Sequence, residues 1–338
     1  MRPILTLMLS ALLLAGTAVH AVEIEEEPEG GERSAELTES EACPRSEAPV
    51  DELERLARAG DANAALNLGY RYGSGEDVKA NPAVAAEWFH KAAEKGDPCG
   101  ELAYGEMLEF GNGVARDVEA AVGWYAKAAR AGLAEAQFNY ALALENGEGV
   151  PENAAEARRW YEAAALQGHD MAQYNLAILH EEGRGGPADI AKAVHWYEMS
   201  AANGSSDAEL RLGEIHYFNA EETFKADPAK ARADYEKAVR YFTPLAGDGS
   251  AVAQYYLGRM HELGRGAARD AAKAVHWYRE AAENDFVKAQ MALGRLYSKG
   301  AEGVPKSLED AREYFAQACE NGDQNGCRSL KELGGTER

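Results

Sequence analysis

An all-α solenoid of about seven antiparallel helix pairs is predicted by three features of the 338-residue sequence. The chain matches itself when shifted by 36 positions, in units beginning at Asp61, Asp97, Leu133, His169, Ser205, Ser250 and Phe286. Within a unit, apolar and small residues recur at intervals of four, which lines them up on one helical face. All five tryptophans fall at one position of the unit, beside a second aromatic residue. The segment KAVHWY occurs at Lys192 and again at Lys273, each time at that position, so it is one building block used twice.

The elements follow in chain order. Residues 1–21 combine Arg2, an apolar run from Ile4 to Ala15 and small or branched residues at Val19-His20-Ala21. That is the layout of a cleavable signal peptide, and the run is short for a membrane span. The alternative is an uncleaved anchor. Residues 22–49 carry nine Glu between Glu23 and Glu41 and almost no large apolar side chain. Such a segment cannot bury enough surface to offset its ordering entropy and reads as a disordered acidic leader. The solenoid is assigned to residues 50–338, with VDELERLARAG from Val50 as an amphipathic capping helix.

Seven units follow, over residues 61–96, 97–132, 133–168, 169–204, 205–249, 250–285 and 286–322. Each first helix has a small fourth residue, Leu or Tyr at the eighth and Gly or Ala at the ninth (Gly69, Gly105, Ala141, Ala177, Gly213, Gly258, Gly294). A small residue there lets a neighbouring helix approach closely. A Gly-x-Gly loop comes next (Gly73/Gly75, Gly111/Gly113, Gly147/Gly149, Gly183/Gly185, Gly264/Gly266), supplying the left-handed cap that other residues resist. The second helix ends in an aromatic pair and Ala-Ala, with Trp196 and Trp277 expected as core wedges. His195 and His276 stand where other units place Glu87, Gly123, Arg159 and Arg240, so they are expected to face solvent. Unit five is nine residues longer and lacks the Gly-x-Gly, which predicts an elongated connection or lengthened helices. Unit seven has Gly300-x-x-Gly303, and GCRSLKEL from Gly326 reads as the closing helix.

AQYYLGRMHELGRGAARDAAKAVHWYREAAEND, from Ala253, closely resembles the Sel1-like repeat, a relative of the tetratricopeptide repeat. The resemblance runs over residues 61–322. It implies a right-handed α-superhelix and an adaptor or scaffold role in protein complexes; fold alone does not fix function.

Four cysteines in an exported chain suggest disulfides. In ACENGDQNGC, Cys319 closes one helix and Cys327 opens the next, and the turn between them lets the side chains meet. This resembles the helix-bridging disulfide of cysteine-rich Sel1-like proteins. Cys43 could bridge to Cys99, although their contexts differ. Some such relatives carry a β-lactamase or penicillin-binding label, which sets up the alternative reading of an enzyme or cell-wall-compound binder. The Ser-x-x-Lys, Ser-Asp-Asn and Lys-Thr-Gly motifs of that chemistry do not occur, and neither does Gly-x-Ser-x-Gly. HEEGR at His180 and HELGR at His261 lack the second His of a zinc-protease helix. GRGGPA from Gly183 mimics a nucleotide-binding loop but lies between helices. No catalytic residue, metal or cofactor is assigned.

Two columns remain. His180, His216 and His261 share the twelfth position, where other units have Tyr72, Leu108, Leu144 and Tyr297. Packed helices stand about 8–10 Å apart, whereas zinc ligands lie about 2 Å from one ion, so the column cannot converge on a metal. Glu109, Glu145, Glu181 and Glu262 share the thirteenth position, at the end of the first helix. Stacking turns them into an acidic column, a candidate surface for a basic segment of a protein or peptide partner. The formal charge of −22 excludes nucleic acid and anionic membrane by repulsion. The expected setting is export across the inner membrane to a bacterial periplasm, without stable membrane insertion after cleavage.

Overall fold

The computed structural model describes residues 43–334. The expected signal peptide and most of the acidic leader lie outside the described residues, as do the last four residues. Sixteen helices are described and lie against one another in chain order. The cap helix is α1 (Val50–Arg58). Units one to three are α2 (Ala62–Ser74) with α3 (Pro82–Glu94), α4 (Pro98–Phe110) with α5 (Val118–Arg130), and α6 (Ala134–Asn146) with α7 (Ala154–Ala165). Units four and five are α8 (Asp170–Glu182) with α9 (Ile190–Ala202), and α10 (Ser206–Thr223) with α11 (Pro228–Gly247). Units six and seven are α12 (Ala251–Leu263) with α13 (Ala271–Glu283), and α14 (Val287–Lys299) with α15 (Leu308–Glu320); α16 (Gln324–Glu332) closes the stack. This is an α-solenoid of helix pairs.

The helix ends are written into the sequence. Asp97, Asp117 and Asp189 each accept a hydrogen bond from the backbone N–H three residues on, satisfying a donor the helix leaves unpaired. Gly111, Gly147, Gly183 and Gly264 end first helices in the left-handed conformation. Unit one differs from expectation: Gly73 lies inside α2, Gly75 is the cap, and Asp77 takes the second loop position with φ 61°. The corresponding Gly113 and Gly149 press on backbone of the preceding unit, where a Cβ would meet Pro82 or Val118. Unit one has no preceding unit, so Asp77 is tolerated.

The core corrects the tryptophan reading. The fully buried wedge is the second aromatic of each pair: Tyr161, Tyr197, Tyr278 and Phe242 are 0% exposed. Trp88, Trp124, Trp160 and Trp277 are half-buried, and only Trp196 of the five is buried. Lysine ammoniums sit over the exposed faces of Trp88 and Trp124, at 3.8 and 3.4 Å from the ring centres. The ninth-position glycines explain the close approach. A Cβ on Gly105 would stand 2.6 Å from Tyr125, and one on Gly258 2.5 Å from Tyr278. His195 and His276 are exposed.

Adjacent units are stitched by a polar bracket. Gln137, Gln173, Gln254 and Gln290, all buried, donate to Ala129, Ala165, Ala246 and Ala282 carbonyls at the end of the preceding second helix. Gln137, Gln173 and Gln290 also accept from Gln167, Asn203 and Asn321 at the end of their own unit. In unit five the extra length goes into the helices, with 18 residues in α10 and 20 in α11.

Both ends are covalently tied. Cys319 is bonded to Cys327, joining α15 to α16, and Cys43 is bonded to Cys99 of α4. Residues 43–49 are therefore not a free leader, as their composition suggested. The Ser46 N–H donates to Asn67 at 2.6 Å, Arg71 donates to the Ser46 carbonyl at 3.0 Å, and Arg45 lies over the Tyr70 ring.

Candidate interaction surface

The acidic column exists as an array, but its carboxylates are engaged within the fold. Tyr125, Tyr161, Tyr197 and Tyr278 donate to Glu109, Glu145, Glu181 and Glu262 at 2.6–2.8 Å, always 16 residues apart. Each bond locks a second helix onto its own first helix. Burial, followed by the adjacent glutamate, pushes these four hydroxyls well above the usual tyrosine range, so they remain donors. Two glutamates also hold arginines of the next unit. Arg184 donates to Glu145 at 2.7 Å, and Arg211 pairs with Glu181. The side chains of Glu145 and Glu181 are only 14% and 19% exposed.

Unit five makes the same closure in a different register. Glu221, one turn beyond the thirteenth position, accepts from Tyr235 at 2.8 Å and pairs with Arg265 of unit six. Its two arginine and tyrosine hydrogen bonds outweigh burial and hold its carboxyl below the usual range. The sequence reading missed Glu221 because the lengthened helix moves it out of the column.

The histidine column is dispersed. His180 is buried against Arg158. His216 Nδ1 contacts Asp234 at 3.0 Å, and its buried Nε2 has no hydrogen-bond partner among the described residues. His261 Nδ1 donates to the Ala268 carbonyl at 3.1 Å. Burial lowers the affinity of His180 and His216 for a proton. Among the described residues, no cluster of His, Cys, Asp and Glu could hold a metal ion.

A second row of partly exposed side chains lies elsewhere on the first helices. The tenth position carries Tyr70, Glu106, Leu142, Ile178, Glu214, Arg259 and Arg295, none of them buried. The chemistry of this geometrically equivalent site varies along the row, from aromatic through acidic and apolar to basic in the last two units. Unit five adds an apolar patch, in which Phe218 and Phe224 are 49% and 42% exposed. Phe218 stands edge-on to Tyr217 and Tyr256, and Arg265 covers Phe224.

The Sel1 repeat model matches residues 62–97, 100–133, 134–169, 170–205, 206–249, 251–286 and 287–323. The chain belongs to the Sel1 repeat family. The seven matched segments coincide with the seven helix pairs, including the lengthened fifth. A protective antigen of uropathogenic Escherichia coli strains with this repeat fold is 31% identical, with a TM-score of 0.58, covering 86% of this chain and 68% of that one. A Sel1 repeat protein from Oxalobacter formigenes is also 31% identical, with a TM-score of 0.56, over 84% of this chain and 79% of that one. Cytochrome c oxidase assembly factor 7 of Xenopus tropicalis is 31% identical over 64 residues, 19% of this chain and 28% of that protein's length. Sel1 repeat proteins generally bind other proteins, and this chain has the architecture of a protein-interaction scaffold. Among the described residues, no helix is long and apolar enough to cross a membrane.

Proposed function

We propose that this Sel1 repeat protein is an exported, non-catalytic adaptor that holds a protein partner along its row of first helices. One observation carries the reading: within a strict packing repeat, the tenth-position residues stay at least partly exposed and take five residue types over the seven units, Tyr, Glu, Leu, Ile and Arg. A surface that only separates two ends needs no such variety, whereas recognition of a particular partner does. Export is supported by the two disulfides, which persist in oxidising compartments. The layout of residues 1–21 directs the chain towards a bacterial periplasm.

A partner with a basic segment suits the overall charge of −22. The column of Glu109, Glu145, Glu181 and Glu262 contributes to that field even while its oxygens serve tyrosines and arginines. The variable tenth positions carry the specific contacts. In the test, Leu142→Arg with Ile178→Arg abolishes recovery of the partner that the parent captures from periplasm, while the helical signal stays unchanged; the unfolding midpoint falls, because Ile178 packs in part against the core. Undiminished recovery by the folded double variant overturns the surface assignment. The competing reading, an enzyme or receptor for a cell-wall compound, predicts turnover of a chromogenic β-lactam; no turnover is expected.

A further inference from the structure

The junction of units three and four combines three residues that no other junction of the repeat brings together. Arg158 stands on α7 where units one, two, four, five and six have Ala86, Val122, Val194, Val239 and Val275; the last unit alone repeats an arginine there, Arg312, which has no further unit to face. Gly186 stands in the loop where they have Val114, Val150 and Ala267. His180, like His216 and His261, stands at the twelfth position, where units one, two, three and seven have Tyr or Leu. The three residues meet in space. A Cβ on Gly186 would stand 2.5 Å from Arg158 Nη1, so the missing side chain is what makes room for the guanidinium. The other terminal nitrogen of Arg158, Nη2, reaches both ring nitrogens of His180.

An ordinary apolar contact between units has thus become a polar cleft of about 370 Å³. Arg158, Arg159 and Lys192 line it against two carboxylates, Glu162 and Asp189. Asp189 is already engaged as the cap of α9, accepting from the Lys192 N–H at 3.0 Å. Among the described residues, none of the three cations has a carboxylate within ion-pair distance, although the chain carries a charge of −22. His180 is 4% exposed. A neutral imidazole has one acceptor nitrogen, which Arg158 fills, so the other ring N–H faces a donor instead of an acceptor. A guanidinium and a buried ring N–H side by side, in a cleft bordered by the starts of α7 and α9, form a donor set of one kind only.

We propose that this cleft binds a single oxyanion group, a carboxylate or a phosphate, with Arg158 and His180 as its donors. The guanidinium fork matches two oxygens of either group. Burial of His180 keeps water from competing for that donor. The inference does not depend on the partner surface, because it concerns a small anion and residues apart from the tenth positions.

The test is an NMR titration of the His180 ring resonances in the full mature chain, with ionic strength held constant by chloride. Inorganic phosphate and acetate are the probes, in separate arms. A saturable shift with phosphate alone points to a phosphate-bearing ligand, with acetate alone to a carboxylate, and with both to the shared oxyanion chemistry. The control restores the repeat's usual residues, Arg158→Val with Gly186→Val; the Gly186 backbone lies outside the left-handed region, so valine fits it. That variant is expected to fold as well as the parent and to lose the shift. Arg158→Gln, which keeps most of the side-chain volume, is expected to bind at least about tenfold more weakly. The proposal is overturned if neither probe shifts His180 up to about 50 mM, or if the folded variants respond like the parent.

Discussion

Replacing Tyr161 by alanine tests how the units are held together. Tyr161 is 0% exposed and packs against Phe138. Its hydroxyl donates to Glu145 at 2.7 Å and accepts from Asn175 at 3.2 Å. Removing a buried aromatic ring costs about 3–5 kcal/mol, through lost transfer energy and the cavity left behind. Tyr161→Phe keeps the ring and loses only the hydroxyl. A hydrogen bond to a charged group contributes about 1.5–3 kcal/mol, and the lower end applies because Arg184 still holds Glu145 at 2.7 Å. Neighbouring Trp160 is half-buried, so Trp160→Ala forfeits roughly half the area term, on the order of 2 kcal/mol. Urea unfolding of the three variants beside the parent measures the order directly. The expected destabilisation is greatest for Tyr161→Ala, with Trp160→Ala and Tyr161→Phe well below it. If Trp160→Ala costs as much as Tyr161→Ala, the assignment of the inward-facing aromatic is wrong.

Three further outcomes are expected. Gly258→Ala forces a methyl to within 2.5 Å of the Tyr278 ring, and such overpacking costs about 1–3 kcal/mol in the midpoint of a denaturant melt; a midpoint at or above the parent's would contradict the close approach. Opening the 8-residue Cys319–Cys327 separation costs about 2.5 kcal/mol and opening the 56-residue Cys43–Cys99 separation about 4 kcal/mol; paired Cys→Ser variants with intact cores should lose stability in that order, and equal midpoints would refute it. His216 has a folded-state proton affinity lowered by burial. As pH falls through the unfolded value of about 6.5, the unfolded chain takes up a proton that the native chain refuses, so stability falls until the lowered folded value is passed. His216→Tyr, with the residue seen at Tyr72 and Tyr297, should flatten that slope in melts between neutral and mildly acidic pH.

The helix pairs, their register and the glycines under each aromatic were legible in the sequence because one rule repeats along the chain. What was misread turned on direction. Adjacent residues on a helix point about 100° apart, so choosing between Trp160 and Tyr161 requires tracing the buried stripe. Ala157 and Ala164 lie four before and three after Tyr161, and both are 0% exposed. Four residues before Trp160 stands Glu156, which marks the other face. The glutamate column was visible, but its tyrosine partners lie 16 residues away across a loop. A signal for them was present. Units two, three, four and six combine Glu at the thirteenth position with Tyr as the second aromatic, whereas units one and seven have Gly73 with Phe89 and Ser298 with Phe315. The loop of unit one was misplaced because a Gly-x-Gly pattern was matched where the second site is Asp77. Arg158, Gly186 and His180 each look like ordinary variation until the fold brings them together.

The claim that the first-helix row holds a protein partner is tested most directly by site-specific photo-crosslinking in living cells. A photoreactive residue is placed at Leu142 or Ile178 on first helices, and at the exposed His195 or His276 on second helices. The account predicts that the first two positions capture the same discrete protein, that the capture fades as salt rises in lysates, and that the second-helix positions do not capture it. Capture of that protein only from His195 and His276, or from none of the four while the chain is folded and exported, would contradict it.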